Sequence, residues 1–391
     1  MKDRINRVII AITSMHFGGA ERRASLLCNF LISCGIDVCL CYTGNSRDNS
    51  VYQLDSKVSV FYLKNTMINF AKYLSKFINP GGGLVYHLKQ IRLRRKIKRF
   101  KPEIIISFMA SPTKSMAEAS KGTDIPIIFV VANDIDQKKK EYIKYYKESF
   151  NKLAGIVFQT KAQKIKYNDM FLFDSSINQV VISNPAWESQ YWYTSVTERK
   201  KEIISVGRLV RQKNQELLIN AFSLIAEKFP DWMLTIYGEG GHRQLLETVI
   251  KMKNLSYRVI LPGIIKDVDR ALHQAGIFVL SSEYEGLPNT LIEAMCMGLP
   301  CITTDFKGGG AEEIIKNGEN GIIVPNHNEK LLADAIVQLI ENPEYAMQLG
   351  KKAEELRTRL SLSRIMNQWK DFILLVYESS RLDLDKACDN K

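Results

Sequence analysis

Residues 275–304 constrain the fold more than any other segment, because two short apolar runs flank a stretch with helix start and stop signals. The runs are 275–280 and 301–304, and each has the length of a buried strand. Between them, Pro288 suits the first turn of a helix and Gly298 suits its left-handed end. The segment is therefore predicted to fold as strand, loop, helix and strand, the repeating unit of a parallel sheet.

Two glutamates accompany this predicted helix. Glu285 lies in the loop before it, and Glu293 lies about one turn inside it. A helix that opens at the carboxyl end of a parallel strand presents unpaired backbone N–H groups, which suit a phosphate. Carboxylates there would repel an anion, so we interpret them as acceptors for the hydroxyls of a ligand whose phosphate is neutralised elsewhere. This chemistry indicates a sugar nucleotide; the alternative for the pair alone is an ordinary crossover with two solvated glutamates.

Basic groups suited to a diphosphate follow another apolar run upstream. Residues 203–206 lead directly into Gly207 and Arg208, and Lys213 comes five residues later. Glycine lets backbone approach a ligand closely, while arginine and lysine supply forked and point-charge contacts to phosphate. Taken alone, this piece is equally typical of a surface loop with two solvated cations.

Two glycine-rich turns are weaker indications of phosphate binding. After the apolar run 7–13, Gly18 and Gly19 precede a helical pattern and mark a turn where backbone meets phosphate. This turn does not match the GxGxxG dinucleotide fingerprint. The second turn, 238–241, follows the strand-like run 233–237, and we interpret it as a tight strand-to-helix turn.

The ordered set of motifs resembles the retaining GT-B glycosyltransferases of family 4. The resemblance covers nearly the whole chain and is strongest over 203–324, where GRLVRQKN, YGEGG, LPG, SSEYEGLPNTLIEAMCMGLP and GENGIIVP stand in the family's order. FGGAER and VISNP extend it towards the amino terminus. The resemblance implies transfer of a hexose or N-acetylhexosamine from a nucleoside diphosphate sugar, UDP rather than GDP, with retention of anomeric configuration.

The same resemblance implies a role for each site residue. Glu293 contacts the donor ribose, Glu285 lies near the transferred sugar, and Arg208 and Lys213 hold the donor diphosphate. Further donor contacts are implied for Gly18, Gly19, Gly207, Gly263, Ile264, Gly286, Asn289, Thr290 and Leu291. Gly263 and Ile264 are expected to meet the nucleotide base.

One position in the amino-terminal half departs from the family pattern. Where many relatives carry a histidine, this chain ends a strand-like run with Asn133 and Asp134. We predict that Asn133 or Asp134 replaces that histidine in holding the acceptor or the transferred sugar. A helix cap after the strand is the alternative interpretation.

The sequence predicts a reaction without a metal or other cofactor. Fixed cations at the diphosphate would stabilise the charge that develops on the leaving group. The five histidines are scattered and no CxxC pair occurs, so no typical zinc pattern is present. The string Asp134-Ile-Asp136 leaves a metal site open as an alternative.

Length and pattern predict two domains. A chain of 391 residues exceeds one typical domain, and alternating strands and helices indicate an α/β fold of two Rossmann-like, doubly wound parallel sheets facing a cleft. We predict an acceptor-binding domain over 1–185 and a nucleotide-sugar donor domain over 186–365. A helix over 366–380 is expected to pack back on the first domain, followed by a polar tail over 381–391.

The net charge of +12 is concentrated in a basic segment, residues 88–101. Its apolar residues are Leu88, Ile91, Leu93, Ile97 and Phe100. With the amphipathic stretch 67–78, it predicts a surface that rests on anionic lipid; the alternative is a solvated helix whose apolar stripe packs on the core. Lipid contact would imply a polyprenyl diphosphate-linked saccharide as acceptor, and a role in O-antigen, capsule or exopolysaccharide synthesis.

Composition predicts a cytoplasmic protein, peripheral on the inner face of the cytoplasmic membrane. The chain has no run of eighteen apolar residues and starts without a cleavable signal pattern, and its seven cysteines lack the spacing of a disulfide framework. A nucleic-acid binder is disfavoured because the basic segment lacks an aromatic platform. A sugar-nucleotide epimerase of GT-B architecture and a non-catalytic sugar-nucleotide-binding protein remain the alternative functions.

Overall fold

The computed structural model describes residues 5–15, 18–44, 52–63, 83–132, 140–193 and 199–389. The chain divides into two compact units, which we call the first and second domains. The first comprises residues 1–159, 164–182 and 366–391, and the second comprises residues 160–163 and 183–365.

The first domain is built on a parallel sheet of seven strands in the order β3-β2-β1-β4-β5-β6-β7. The strands are β1 (Arg7–Ile12), β2 (Asp37–Tyr42), β3 (Ser59–Tyr62), β4 (Ile104–Phe108), β5 (Ile127–Val130), β6 (Leu153–Phe158) and β7 (Asn178–Val181). The helices between them are α1 (Gly19–Ser33), α2 (Gly83–Phe100), α3 (Ala110–Ala119), α4 (Lys140–Phe150) and α5 (Lys161–Phe171). Strands such as β4 are buried along their whole length, as expected when helices cover both faces of a sheet.

The second domain repeats this plan with six parallel strands in the order β10-β9-β8-β11-β12-β13. The strands are β8 (Glu202–Val206), β9 (Met233–Tyr237), β10 (Val259–Gly263), β11 (Ile277–Leu280), β12 (Cys301–Thr304) and β13 (Ile322–Val324). The helices are α6 (Gln215–Ser223), α7 (Arg243–Met252), α8 (Val268–Gln274), α9 (Asn289–Cys296), α10 (Gly310–Ile314), α11 (Glu329–Glu341), α12 (Pro343–Ala353) and α13 (Leu356–Arg359). Two doubly wound parallel sheets confirm the predicted fold class.

The unit predicted over residues 275–304 is present as β11, α9 and β12. Pro288 lies immediately before α9 in an extended conformation, so its predicted place in the first turn is wrong by one residue. Gly298 has a φ of +66°, and Leu299 N–H donates to Ala294 O at 3.1 Å beyond the helix end. Gly298 therefore provides the left-handed stop that the sequence predicts.

The final helix, α14 (Leu362–Asp389), is longer at both ends than the predicted range 366–380. No glycine or proline interrupts residues 362–389, so the helix continues through most of the predicted polar tail. Its buried residues Trp369, Ile373 and Val376 belong to the first domain. The Trp369 ring stacks on the Phe108 ring with their centroids 6.4 Å apart.

Candidate active site

The carboxyl ends of the second domain's strands carry most of the predicted site residues. In an open parallel sheet, ligands bind at these ends, beside the point where the strand order reverses. Here that point lies between the neighbouring strands β8 and β11, because β9 and β10 continue on one side and β12 and β13 on the other. The loops that follow β8 and β11 supply Arg208, Lys213 and Glu285.

Lys213 and Glu285 form an ion pair across this reversal point. Lys213 Nζ lies 2.6 Å from Glu285 Oε1, and their side chains are only 14% and 11% exposed. Ser282 Oγ donates a second hydrogen bond to the same oxygen at 2.8 Å. Within the described part of the chain, Oε2 of Glu285 has no donor, so this oxygen is available to accept a hydrogen bond from a ligand hydroxyl.

Further hydrogen bonds join the two loops and fix the ion pair in place. Gln212 Nε2 donates to Tyr284 O at 2.9 Å, and Glu283 N–H donates to Gln212 O at 2.8 Å. Ser281 Oγ donates to Lys213 O at 3.1 Å. Sequence reasoning missed Gln212 and the two serines, although a Ser-Ser pair at a strand end was visible in the sequence.

Arg208 differs from Lys213 because its side chain is exposed. Among the described residues, no acceptor or carboxylate contacts its guanidinium. Its backbone is held, since Gln215 Nε2 donates to Arg208 O at 2.9 Å. The backbone of Arg208 is therefore held in place, while its exposed guanidinium can contact an anion.

The turns after β8, β9 and β10 pack backbone against backbone. A Cβ on Gly238, whose φ is +139°, would lie 1.9 Å from Gly207 O, and Gly238 N–H donates to Gly263 O at 2.8 Å. A Cβ on Gly240 would lie 2.2 Å from Leu209 O. The glycines of 238–241 thus serve close packing, which agrees with their interpretation as a tight turn.

The predicted base-binding residues lie beside an ion-pair cluster that the sequence did not reveal. Gly263 is buried with a φ of +89°, while Ile264 is 79% exposed. Arg243 donates to both carboxylate oxygens of Glu239, at 2.9 and 2.7 Å, and to Leu261 O at 3.1 Å. These hydrogen bonds hold the pKa of Glu239 below its ordinary value, and they fix the turn that presents Ile264.

A second glycine-rich loop, residues 308–310, follows β12 and packs against the backbone of Glu285 and Gly286. A Cβ on Gly308 would lie 2.0 Å from Glu285 O, and a Cβ on Gly310 would lie 1.8 Å from Gly286 O. Only glycine permits this approach of two backbones. Sequence reasoning missed this loop, although three consecutive glycines before a helix are a recognisable signal.

The start of α9 is tied to the segment that precedes β8. Asn184 Nδ2 donates to Asn289 Oδ1 at 2.7 Å and to Leu287 O at 3.3 Å. Thr290 and Glu293 are half-buried, whereas Leu291 is fully buried, so Leu291 offers only its backbone to a ligand. Glu285 lies in the loop before α9 and Glu293 on its fifth residue, as the sequence predicts.

Other predicted residues belong to the first domain. Gly19 begins α1, and Gly18 precedes it with its N–H and C=O bonded to the Tyr52 hydroxyl at 3.2 and 3.0 Å. Asn133 and Asp134 lie outside the described residues, as does the stretch 67–78.

The basic segment makes up most of α2, and part of its apolar stripe packs on the core, as in the alternative interpretation. Leu93 and Ile97 are buried in the first domain's core at 1% and 3% exposure, whereas Leu88, Ile91 and Phe100 are half-buried. Leu93 and Ile97 therefore pack on the core, and contact of the segment with lipid stays a prediction. The exposed face carries Arg94, Arg95 and Lys98. A groove of about 560 Å³ opens beside it, lined by Phe61, Arg92, Arg95, Lys96, Arg99 and Phe100.

Comparison with known proteins gives a consistent set of matches. The family model described as glycosyl transferases group 1 matches residues 193–356. A poly(ribitol-phosphate) α-N-acetylglucosaminyltransferase of Staphylococcus aureus is 32% identical over 237 residues, which are 59% of this chain and 46% of that protein. The chain thus spans less than half the length of this relative.

Two further matches extend over nearly the whole chain. The Campylobacter jejuni GalNAc-α-(1→4)-GalNAc-α-(1→3)-diNAcBac-PP-undecaprenol α-1,4-N-acetyl-D-galactosaminyltransferase is 23% identical over 373 residues, covering 94% of this chain and 98% of that protein. The crystal structure of Anabaena Alr3699/HepE in complex with UDP has a TM-score of 0.74 at 16% identity, covering 94% of this chain and 99% of that one. At that identity the structural match establishes the fold.

Proposed function

This chain belongs to the group 1 glycosyltransferases and has the GT-B fold, and from that premise we propose that it transfers a hexose or N-acetylhexosamine from a UDP-sugar to a lipid-linked saccharide, with retention of anomeric configuration. The observation that carries the proposal is the Lys213–Glu285 ion pair at the strand-order reversal. In the same loop as Lys213, the exposed guanidinium of Arg208 has no partner among the described residues. Together they place fixed positive charge and a hydroxyl acceptor within two adjoining loops.

We propose that Lys213 and Arg208 both act on the donor diphosphate. Lysine carries three N–H donors, so Lys213 retains donors for a phosphate while it is bonded to Glu285. Arg208 adds a forked contact to the same diphosphate. Both groups oppose the negative charge that grows on the leaving diphosphate, and each well-placed donor of this kind commonly contributes about 3 kcal/mol. We propose that these cations replace a metal ion.

In the proposed transfer, the bond between the anomeric carbon and the donor phosphate oxygen breaks, and its electron pair stays on the leaving UDP. The acceptor hydroxyl forms the new glycosidic bond on the same face, and its proton passes to a phosphate oxygen of the leaving group. Glu285 Oε2 accepts a hydrogen bond from the sugar and orients it. Glu293, on α9, holds the ribose.

Two observations support a lipid-linked acceptor: the acceptor for which one relative is named, and the cationic face of α2. The Campylobacter jejuni relative is named for an acceptor built on PP-undecaprenol, and the exposed face of α2 carries several cations. We propose a polyprenyl diphosphate-linked saccharide as the acceptor, a role in surface polysaccharide synthesis, and an enzyme located on the inner face of the cytoplasmic membrane.

The first test is mass spectrometry of the product after incubation with a panel of UDP- and GDP-sugars and a short-chain polyprenyl diphosphate saccharide. We expect one donor to add a single hexose or N-acetylhexosamine mass, with or without EDTA, and Glu293→Ala to abolish the product. Glu344→Ala is the matched control, because this exposed glutamate lies in the first turn of α12. Its neighbour Pro343 lines a groove with Lys201 and Gly276, which precede β8 and β11 at the end opposite to the site.

The same assay separates the alternatives. A transferase releases UDP in step with acceptor, whereas an epimerase turns over the sugar nucleotide without one. Binding of UDP without any turnover, across the whole panel, would contradict the transferase proposal and leave a binding protein.

A separate test addresses the membrane. No helix in the described ranges is both long and apolar enough to cross a bilayer. We expect the triple substitution Arg94→Glu, Arg95→Glu and Lys98→Glu to weaken sedimentation with phosphatidylglycerol vesicles by at least about tenfold, since each cation near an anionic surface contributes about 1 kcal/mol.

The control for that test is an equal change of charge on the second domain. Lys251, Lys253 and Lys330 are exposed, and their joint replacement by glutamate lowers the net charge by the same amount. Equal partitioning of both triple variants would mean that α2 has no special role at the vesicle surface.

A further inference from the structure

The second domain has a groove of about 600 Å³ at the end of its sheet opposite to the candidate active site. Two of its lining residues, Gly276 and Pro300, come directly before β11 and β12, while Lys201 and Trp232 come directly before β8 and β9. Parallel strands place their amino ends at one edge of a sheet, and ligands of the carboxyl ends bind at the other. This amino-end groove is therefore separate from the loops that carry the donor-site residues.

The interior of the amino-end groove is apolar. Ile277, Met297 and Leu339 line it, and all three are buried. Small-molecule sites commonly have volumes of about 300–1,000 Å³ and are lined mainly by apolar and aromatic side chains, with a few polar groups. The amino-end groove has both properties, so it suits an organic ligand better than an inorganic ion.

Aromatic side chains from separate segments also line the groove. The rings of Tyr191 and His273 stack with their centroids 5.1 Å apart, and Trp232 is half-buried. Burial and the nearby charge of Arg199 lower the pKa of His273, so its imidazole is neutral at pH 7. Flat rings of this kind favour a planar ligand, which gains ring stacking in addition to apolar contact.

Gly276 is required for the position of the Trp232 ring. A Cβ on Gly276 would lie 2.6 Å from Lys200 O and 3.0 Å from Cη2 of Trp232. A larger residue would displace the backbone before β8 and the indole together. Glycine therefore lets the Trp232 ring lie directly beside the amino end of β11.

Two arginines of the groove already have partners. Arg199 donates to four backbone oxygens at the ends of α8 and α9, at 2.8 to 3.2 Å. Arg357 lies 3.2 Å from the carboxylate of Glu354, and its Nε donates to Cys296 O at 2.6 Å. These acceptors offset the charge of both guanidiniums, so the two arginines mainly hold the groove in shape.

Lysines carry the positive charge that remains for a ligand. Lys200, Lys201 and Lys351 line the groove and are exposed. Lys201 Nζ pairs with Asp231 at 3.1 Å, whereas Lys200 and Lys351 have no carboxylate partner in the part of the chain that the structure describes. An anion in the groove would therefore meet two cations that are not already paired.

We propose that the amino-end groove binds a planar aromatic anion, with its ring against Trp232 and Tyr191 and its negative group beside Lys200 and Lys351. The rings supply the apolar contact that a surface cluster of lysines lacks, and the lysines select an anion over a neutral ring. The proposal is independent of the transferase reaction, because it concerns the end of the sheet opposite to the donor site.

The binding test is fluorescence titration of the full chain with 8-anilinonaphthalene-1-sulfonate, an aromatic anion whose emission rises in apolar surroundings. We expect one bound molecule per chain and an affinity that saturating UDP does not change. Displacement by UDP would place this probe at the donor site, and uptake of several molecules per chain would mean unspecific binding. Either result would overturn the proposal.

An uncharged probe tests whether the groove selects an anion. N-phenyl-1-naphthylamine has the same rings without the sulfonate, and we expect it to bind at least about tenfold more weakly, because it cannot pair with the lysines. Equal affinities for the two probes would show an apolar groove without preference for charge, which contradicts the proposed ligand class.

Two adjacent lysines of α12 locate the site. Lys351 lines the groove, whereas Lys352 lies outside this lining, with Nζ 2.9 Å from Glu355. Lys351→Met is expected to weaken binding of the sulfonate probe about fivefold, the effect of losing one exposed charge pair. Lys352→Met removes the same charge from the same helix turn and should change the affinity less than about 1.5-fold. Equal effects of the two substitutions would refute the site.

Two further substitutions test the apolar part of the groove. Ala346 lines the groove and is half-buried, so Ala346→Trp should fill it and abolish probe binding. If that variant does not fold, Tyr191→Ala decides: it removes one ring face and should weaken binding at least about fivefold. Tyr257→Ala is its control, because Tyr257 is 92% exposed and lies outside the groove lining. Full binding by a folded Ala346→Trp protein or by Tyr191→Ala would overturn the proposal. None of these assays requires turnover, so they fail or succeed independently of the transferase proposal.

Discussion

Replacing Lys213 by alanine is expected to lower kcat/KM about 100- to 1,000-fold and to destabilise the second domain by about 3 kcal/mol. The catalytic loss follows from removing a cation aimed at the leaving diphosphate. The loss of stability follows from the carboxylate of Glu285, which is 11% exposed and would lose the ammonium that lies 2.6 Å away. Donor titration and thermal unfolding of the same preparation measure the two effects separately.

A double-mutant cycle tests whether the two residues act as one unit. Glu285→Gln alone is expected to lower activity, because Lys213 loses the group that positions it. In the double variant the second substitution should cost far less than it does alone, with a coupling free energy of about 1–3 kcal/mol in stability. Additive effects in stability and in kcat/KM would mean that Lys213 and Glu285 function independently.

An exposed ion pair provides the control cycle. Lys228 Nζ and Glu341 Oε1 are 2.5 Å apart, but their side chains are 60% and 47% exposed. Solvent screens such a pair, so its coupling should be less than about 1 kcal/mol despite the short distance. The comparison isolates burial as the cause of the large coupling at Lys213.

The individual members of this pair were predictable from local sequence, whereas their contact was not. Each follows an apolar run and a turn, and parallel strands place such residues at one edge of a sheet. The contact depends on β8 and β11 being neighbours, although Lys213 and Glu285 are 72 residues apart. The sequence therefore predicted a phosphate ligand for Lys213 and a sugar for Glu285, without the bond between them.

Burial was the other property that local patterns did not predict. Arg23 is only 1% exposed. Nevertheless, it stands in the polar string GAERRAS at a helix start, where an arginine is usually solvated. The apolar stripe of α2 was visible, but a stripe has the same spacing whether it meets lipid or protein, and only the packing of Leu93 and Ile97 distinguishes the two. Likewise, Gly308 is required by the backbone of Glu285, a residue far away in sequence.

Arg208 should share the catalytic effect of Lys213 but not its effect on stability. Arg208→Ala is expected to lower kcat/KM about 100- to 1,000-fold while the Tm stays within about 1 °C. Its guanidinium is exposed and makes no hydrogen bond or ion pair to any described residue, so folding does not depend on it. Gln215 bonds the backbone oxygen of Arg208, which alanine retains. Steady-state kinetics and thermal unfolding together separate a ligand-binding role from a structural one.

Arg211 supplies a matched control within the same loop. It is also exposed, but it lies in the 3-10 turn Arg211–Lys213 and not directly after Gly207 at the strand end. Arg211→Ala should therefore change kcat/KM less than about twofold. Arg208→Lys should be more active than Arg208→Ala but less active than the unchanged protein, because a point charge replaces a forked donor. A comparable loss at both arginines would indicate a general electrostatic effect of the loop, and a fall in Tm for Arg208→Ala would indicate a partner for Arg208 within the chain. Unchanged Tm with activity lost at Arg208 alone would show that the diphosphate contact depends on the position of this one guanidinium at the end of β8.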